Sequence, residues 1–339
     1  MRAATEDDST PTRANIIGCT GTAGAAGTSA GMAGASGGAP DASAGDAGQT
    51  GAAGSDASVG PRDSRADSSF VPDPPYVAPA HQGNLIHVRN HCSFPLWLHG
   101  VGGGGTLAPD NLMLAGGATH DYTINDWPFA WVTAYLDGPQ QNMIDRAELT
   151  LFPTGLVTYL LGYIDGIGLP MELQAIGQGN DCKPVGCYVP EAQIVAECPP
   201  GLLAGKLCRS PGVFCADPAN AAMPYCHALD ASIATCAASV PGCAEAAGAT
   251  TANVYACTQV FGDNPGLCAA LNRGMVSAPT STDDGAFYRT GPYNSYAAWM
   301  HDICPGIYAF TYDDVQTSAN PFHACSNSTQ LNITFCPAG

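Results

Sequence analysis

Fourteen of the fifteen cysteines fall between Cys92 and Cys336, and the fifteenth, Cys19, stands alone in a tract with few large apolar side chains. An even set confined to one region points to as many as seven disulfides and to an oxidising compartment. The chain is therefore expected to be secreted or held at the cell surface. Zinc ligation is the competing use of cysteine, but there is no Cys-x-x-Cys, and the eight histidines form no His-Glu-x-x-His. Neither a metal nor a cofactor is expected. Only 12% of residues are charged and the net charge is −18, with a pI near 4.4. A nucleic-acid backbone would be repelled, so no nucleic-acid partner is expected.

The chain divides by composition. Residues 20–82 form a tether of Gly, Ala, Ser and Thr that turns proline-rich from Pro61; such a composition buries too little surface to offset the entropy of ordering. Glycine recurs every third residue at Gly18–Gly27 and Gly45–Gly54, but the period slips and proline is scarce, which excludes a collagen helix. Residues 1–19 end in Ile16-Ile17-Gly18-Cys19, similar to a bacterial lipobox with Cys19 as the lipidation site of an outer-membrane lipoprotein. Glu6, Asp7 and Asp8 stand where an export signal needs a positive start and an apolar run. Either the true start lies further upstream or the match is chance. No segment is apolar enough to span a bilayer, so membrane association is expected only through that anchor.

Residues 83–339 read as strands separated by glycine turns. Leu85–Arg89, Pro95–His99, Asp121–Ile124, Phe129–Leu136 and Ala147–Phe152 carry β-branched, aromatic or alternating patterns. The expected fold class is mainly β, an antiparallel sandwich with a disulfide-rich, partly helical subdomain. Residues 227–290 are alanine-rich, with helical propensity over Ala228–Ala238 and Ala249–Gln259 and breaks at Pro241-Gly242 and Asn264-Pro265-Gly266. Two motif matches are set aside. Gly34–Gly38 fits Gly-x-Ser-x-Gly but lies in the tether, and Gly100–Gly105 fits Gly-x-Gly-x-x-Gly with no helix to follow.

Several segments occur in a telling order. Asn90-His91-Cys92 follows the first strand, and Ala147-Glu148-Leu149-Thr150-Leu151 forms a later one. Then come Tyr163-Ile164-Asp165-Gly166 with Pro170-Met171, Glu197-Cys198-Pro199, Cys304-Pro305-Gly306, and a closing Phe335-Cys336-Pro337. This series resembles the thaumatin-like family over roughly 84–339. The resemblance implies the disulfides Cys92–Cys336, Cys182–Cys325, Cys187–Cys304, Cys198–Cys208 and Cys215–Cys226. Cys236, Cys243, Cys257 and Cys268 are left over, and four cysteines allow three connectivities. Relative to the family pattern, 227–290 is an insertion.

The resemblance also implies an acidic cleft that receives polysaccharide. Glu148 matches the family's glutamate, Asp165 the aspartate of its Asp-Gly turn, and Asp313 or Asp314 its late aspartate. Trp131 stands where the family has an arginine and Leu160 where it has another aspartate. Each carboxylate has a plainer reading: Glu148 as the solvated face of a strand, Asp165-Gly166 as a turn, Asp313-Asp314 as a cap on backbone amides. Trp131 offers an apolar face for a sugar ring. The lost arginine and aspartate favour binding over hydrolysis. The expected function is an extracellular, monomeric protein that binds cell-wall β-1,3-glucan through Trp131, Glu148, Asp165, Asp313 and Asp314. The alternatives are an endo-β-1,3-glucanase with Glu148 and Asp165 as catalytic carboxyls, and an antifungal or inhibitor module that binds protein through the insertion.

Overall fold

A computed structural model describes residues 75–139, 145–177, 182–199, 201–239, 248–261, 267–268, 295–311, 313 and 321–337. Cys19 with its lipobox-like sequence, the tether up to residue 74, Cys243, Asp314 and much of 227–290 lie outside the described residues. Two main sheets carry the fold. One has the order β11 (Val185–Gly186), β10 (Met171–Ile176), β15 (Gln330–Phe335), β1 (Asn84–Asn90), β5 (Thr119–Ile124). The other has the order β14 (His323–Ser326), β8 (Leu156–Gly162), β7 (Arg146–Phe152), β6 (Trp127–Tyr135), β2 (Leu96–Gly102), β3 (Gly105–Thr106), with β4 (Leu112–Leu114) also paired to β2. A small third sheet joins β12 (Leu203–Ala204), β13 (Leu207–Arg209) and β9 (Gly166–Ile167).

Strand alternation explains why the large sheets pack. Ile86 and Val88 of β1, Leu331 and Ile333 of β15, Val132 of β6, Leu149 and Leu151 of β7 and Leu161 of β8 are buried in one apolar cluster. Their sequence neighbours point the other way. The architecture is a mainly β sandwich, as its alternating strands imply. Among the named strands one pairing is parallel: β1 runs alongside β15 with Leu85 opposite Gln330 and Asn90 opposite Phe335. Ends of the chain nearly 250 residues apart thus form neighbouring central strands.

Asn90 closes that pairing. Its side chain is fully buried, donates to the carbonyls of Phe94 and Leu114 at 2.8 and 2.9 Å, and accepts from the Cys92 amide at 2.9 Å. The turn it holds presents Cys92 to Cys336. Disulfides also join Cys182–Cys325, Cys187–Cys304, Cys198–Cys208 and Cys215–Cys226, the pairs implied by the family resemblance, together with Cys257–Cys268. Cys236 is disulfide-bonded as well.

The chain joins the sheet earlier than the expected boundary at 83. The Tyr76 carbonyl accepts from the side chains of Gln330 and Asn332, the Ala78 amide donates to Gln330, and the Tyr76 ring stacks on His87 at 3.9 Å. The glycine run at 100–105 has a packing cause. A Cβ on Gly102 would stand 2.6 Å from the Ala130 Cβ, and the Trp127 indole, 2% exposed, lies across the run and donates to the Gly105 carbonyl at 3.0 Å.

Helices gather beyond the sheets: α1 (Glu191–Glu197), α2 (Pro211–Ala216), α3 (Asp230–Ser239), α4 (Thr251–Ala256) and α5 (Ser295–Ile303). α3 and α4 fall where the alanine-rich segment has helical propensity, each shorter than expected. α4 starts at a Thr250–Asn253 capping box and stops where Cys257 turns left-handed. Its close approach to α2 depends on Gly212, where a Cβ would stand 2.8 Å from the Ala256 Cβ.

Candidate functional site

The outward face of the seven-stranded sheet brings several of the sequence candidates together. Across β2, β6, β7 and β8 the register aligns Val101, Trp131, Glu148 and Leu160 in one row. Directly paired residues project to the same side, so Glu148 stands between the Trp131 indole and the Leu160 side chain. The next row along β7 and β8 pairs Arg146 with Gly162. Gly162 matters for Glu148: a Cβ there would come within 2.8 Å of Glu148 Oε1, so the carboxylate lies over bare backbone. Trp131 is held from its other flank by His99, ring centroids 5.2 Å apart. Phe129 and Phe152, 67% and 36% exposed, lie further along β6 and β7.

Trp131 replaces an arginine in the family pattern, yet the face does not lack a cation. Arg146, two residues before Glu148 and on the same side of β7, forms an ion pair with Asp165 through a short contact. Its side chain is 14% exposed and that of Asp165 25%. Arg146 Nε is buried and has no hydrogen-bond partner among the described residues. Sequence reasoning passed over this arginine because the family pattern placed the cation on β6. The available signal was alternation: a basic residue at i−2 from Glu148 must share its face.

Asp145 is the second missed residue. Its carboxyl is 3% exposed and accepts from the amides of Gly168 and Leu169 at 2.7 and 2.8 Å. Burial pushes its pKa up to about 7, against the two amide hydrogen bonds, which pull it down. The carboxyl ties the start of β7 to the segment after Asp165, and so fixes Asp165 beside Arg146. Tyr163 completes this support. Its hydroxyl donates to the Leu169 carbonyl and accepts from the Met171 amide, while its own carbonyl accepts from the Tyr296 hydroxyl of α5 at 2.7 Å.

Asp313 departs from expectation. It is fully buried, and its Oδ2 accepts from the amides of Ala309 and Phe310 at 2.7 and 2.8 Å and lies 3.1 Å from His301 Nε2. The plainer reading of this residue, a cap on backbone amides, describes what it does; it is not presented to a polysaccharide. Asp314 lies outside the described residues. Leu160 is 7% exposed and forms the apolar wall beside Glu148 where an aspartate was absent.

The comparisons with known proteins divide between two families. Residues 233–333 match the family model described as Beta-1,3-glucanase, which takes in most of the segment that reads as an insertion against the thaumatin-like pattern. Thaumatin-like protein 1b of Malus domestica is 25% identical over 191 residues, 56% of this chain; the chain spans 62% of that relative's length. Among solved structures, a β-1,3-glucanase domain (GH64) from Clostridium beijerinckii superposes with a TM-score of 0.52 at 15% identity, covering 76% of this chain and 100% of that one. A laminaripentaose-producing β-1,3-glucanase in complex with laminaritetraose gives 0.51 at 14% identity, covering 75% and 99%. At these identities the structural likeness is one of fold, and the fold is that of β-1,3-glucanase domains.

Proposed function

We propose that this chain hydrolyses β-1,3-glucan outside the cell, with Glu148 as general acid and Asp165 as the base that activates water. The carrying observation is the juxtaposition on one sheet face of Glu148, flanked by Trp131 and Leu160, with the Arg146–Asp165 pair. Arg146 and Glu148 are separated by one i, i+2 step, about 7 Å along a strand. Asp165 pairs with Arg146, which brings its carboxyl to the Glu148 face; hydrolysis by a water-activating base uses two carboxyls about 6.5 to 9.5 Å apart. Glu148 gives its proton to the bridging oxygen as the bond to the anomeric carbon breaks. Asp165 takes a proton from the water that attacks that carbon. Trp131 supplies an apolar face for a sugar ring, and Arg146 holds Asp165 at the edge of that face.

On the sequence alone, the arginine missing at position 131 and the aspartate missing at position 160 together favour binding over hydrolysis. Arg146 supplies a cation to the same face, Leu160 still leaves it one carboxylate fewer, and the likeness to β-1,3-glucanase domains supports the catalytic reading. Binding without turnover is the second reading, favoured by the commitment of Asp165 to an ion pair. The six described disulfides support export. The deciding experiment incubates the protein with laminarin and with insoluble β-1,3-glucan and follows both reducing ends and sedimentation. Release of reducing ends that falls at least a hundredfold in Glu148→Gln, with sedimentation retained, is expected. Sedimentation with no reducing ends in the wild type would leave the binding reading; neither would end both.

A further inference from the structure

Beyond Glu148, on the side away from Trp131, the same face carries a second aromatic group. The segment around Tyr308 runs beside the end of β8: the Tyr308 amide donates to the Leu161 carbonyl, the Tyr163 amide donates to the Tyr308 carbonyl, and Tyr308 bridges Gly162 in parallel. Tyr308 therefore stands on the side of Gly162 that Glu148 overlies. β14 covers the rest of that edge, with His323 opposite Tyr159 and Ala324 opposite Thr158. Extending this register by one residue puts Phe322 opposite Leu160, in the row of Trp131 and Glu148. Phe322 is 46% exposed, like Ala324 and Ser326 on its side of the strand, whereas Cys325 between them is buried. The Phe322 and Tyr308 rings meet edge to face, centroids 5.9 Å apart.

We infer that Tyr308 and Phe322 form a second sugar-binding platform, so that a glucan chain crosses the strands from Trp131 over Glu148 to Phe322. This rests on the β-1,3-glucan reading above. Three strand spacings separate β6 from β14, about 14 Å at roughly 4.8 Å each, a span wider than one sugar ring. Glu148 and its Gly162 floor lie between the two platforms. The Tyr308 hydroxyl donates to the Thr311 carbonyl at 2.6 Å, which fixes one ring and leaves its edge to support Phe322. An exposed phenylalanine braced in this way loses little conformational freedom when a sugar covers it. A chain long enough to reach both platforms accordingly gains contacts that a disaccharide lacks.

The test measures binding of laminari-oligosaccharides from the disaccharide to the hexasaccharide by calorimetry, using the inactive Glu148→Gln background so that ligands survive. Affinity is expected to rise with length, and Phe322→Ala to weaken the hexasaccharide about tenfold while leaving the disaccharide unchanged. Phe322→Trp should retain the gain with length, and Met223→Ala, an exposed residue outside the sheets, should change nothing. Hexasaccharide binding by the parent that Phe322→Ala leaves intact would overturn the platform and spare the glucan reading. No binding at any length would overturn both.

Discussion

The Arg146 guanidinium joins strand β7 to the turn that holds Asp165, and it does so where both groups are largely out of water. A pair at this depth lies between an exposed bridge, worth less than about 1 kcal/mol, and a buried one whose breakage costs about 3–5 kcal/mol. Arg146→Met keeps the length and packing of the side chain and removes the charge. It should lower the unfolding free energy by about 2 kcal/mol, because Asp165 then loses this ion pair. If Asp165 acts as proposed, turnover of laminarin should fall by more than this loss of stability explains, since Asp165 is no longer held on the Glu148 face. Urea unfolding together with kcat measured well below the transition separates the two effects. Unchanged turnover would mean that Asp165 does not act through this geometry.

At the scale of elements, Asp145 fastens β7 to the 166–169 segment. Its pKa near 7 in the fold lies well above the ordinary aspartate value of 3.8. The folded state then holds a proton that the unfolded state releases, so this group's contribution is fully present below about pH 4 and is lost as pH rises through about 7. The size is on the order of 4 kcal/mol. Asp145→Asn should flatten the decline in stability between about pH 4 and 7, a change that denaturant titrations across that range will detect. How much of this was legible follows from where each signal lies. The strands β1, β2, β5, β6 and β7 advertise themselves by alternation within a few residues, and Glu148 and Trp131 inherit their shared face from that same period. Asp145, by contrast, acts through two amides more than twenty residues away, and no local pattern reports such a contact. The role of Asp313 is hidden for a related reason: whether a carboxylate caps amides or faces solvent depends on where the Ala309 and Phe310 amides and His301 of α5 lie. Phe322 precedes a four-residue strand, β14, whose sequence alone does not announce it.

For the whole molecule, the parallel pairing of β1 with β15 sets the main entropic problem, because its partners are separated by nearly the entire folded chain. The Cys92–Cys336 bond addresses that problem directly, with a sequence separation of 244, whereas Cys198–Cys208 spans 10. In the chain-entropy account, the long closure restricts the unfolded state by about 5 kcal/mol and the short one by about 3 kcal/mol. Most domains retain only about 5–15 kcal/mol in total. Cys92→Ala with Cys336→Ala should therefore remove a large share of the stability, and Cys198→Ala with Cys208→Ala distinctly less. Both changes leave the Trp131–Glu148–Leu160 row untouched, so activity per folded molecule should persist in each. Urea midpoints of the two double variants, read beside laminarin turnover at low urea, check this order. A short-loop variant as unstable as the long-loop one would mean that local geometry around α1 and β13, rather than chain entropy, governs what these bonds contribute.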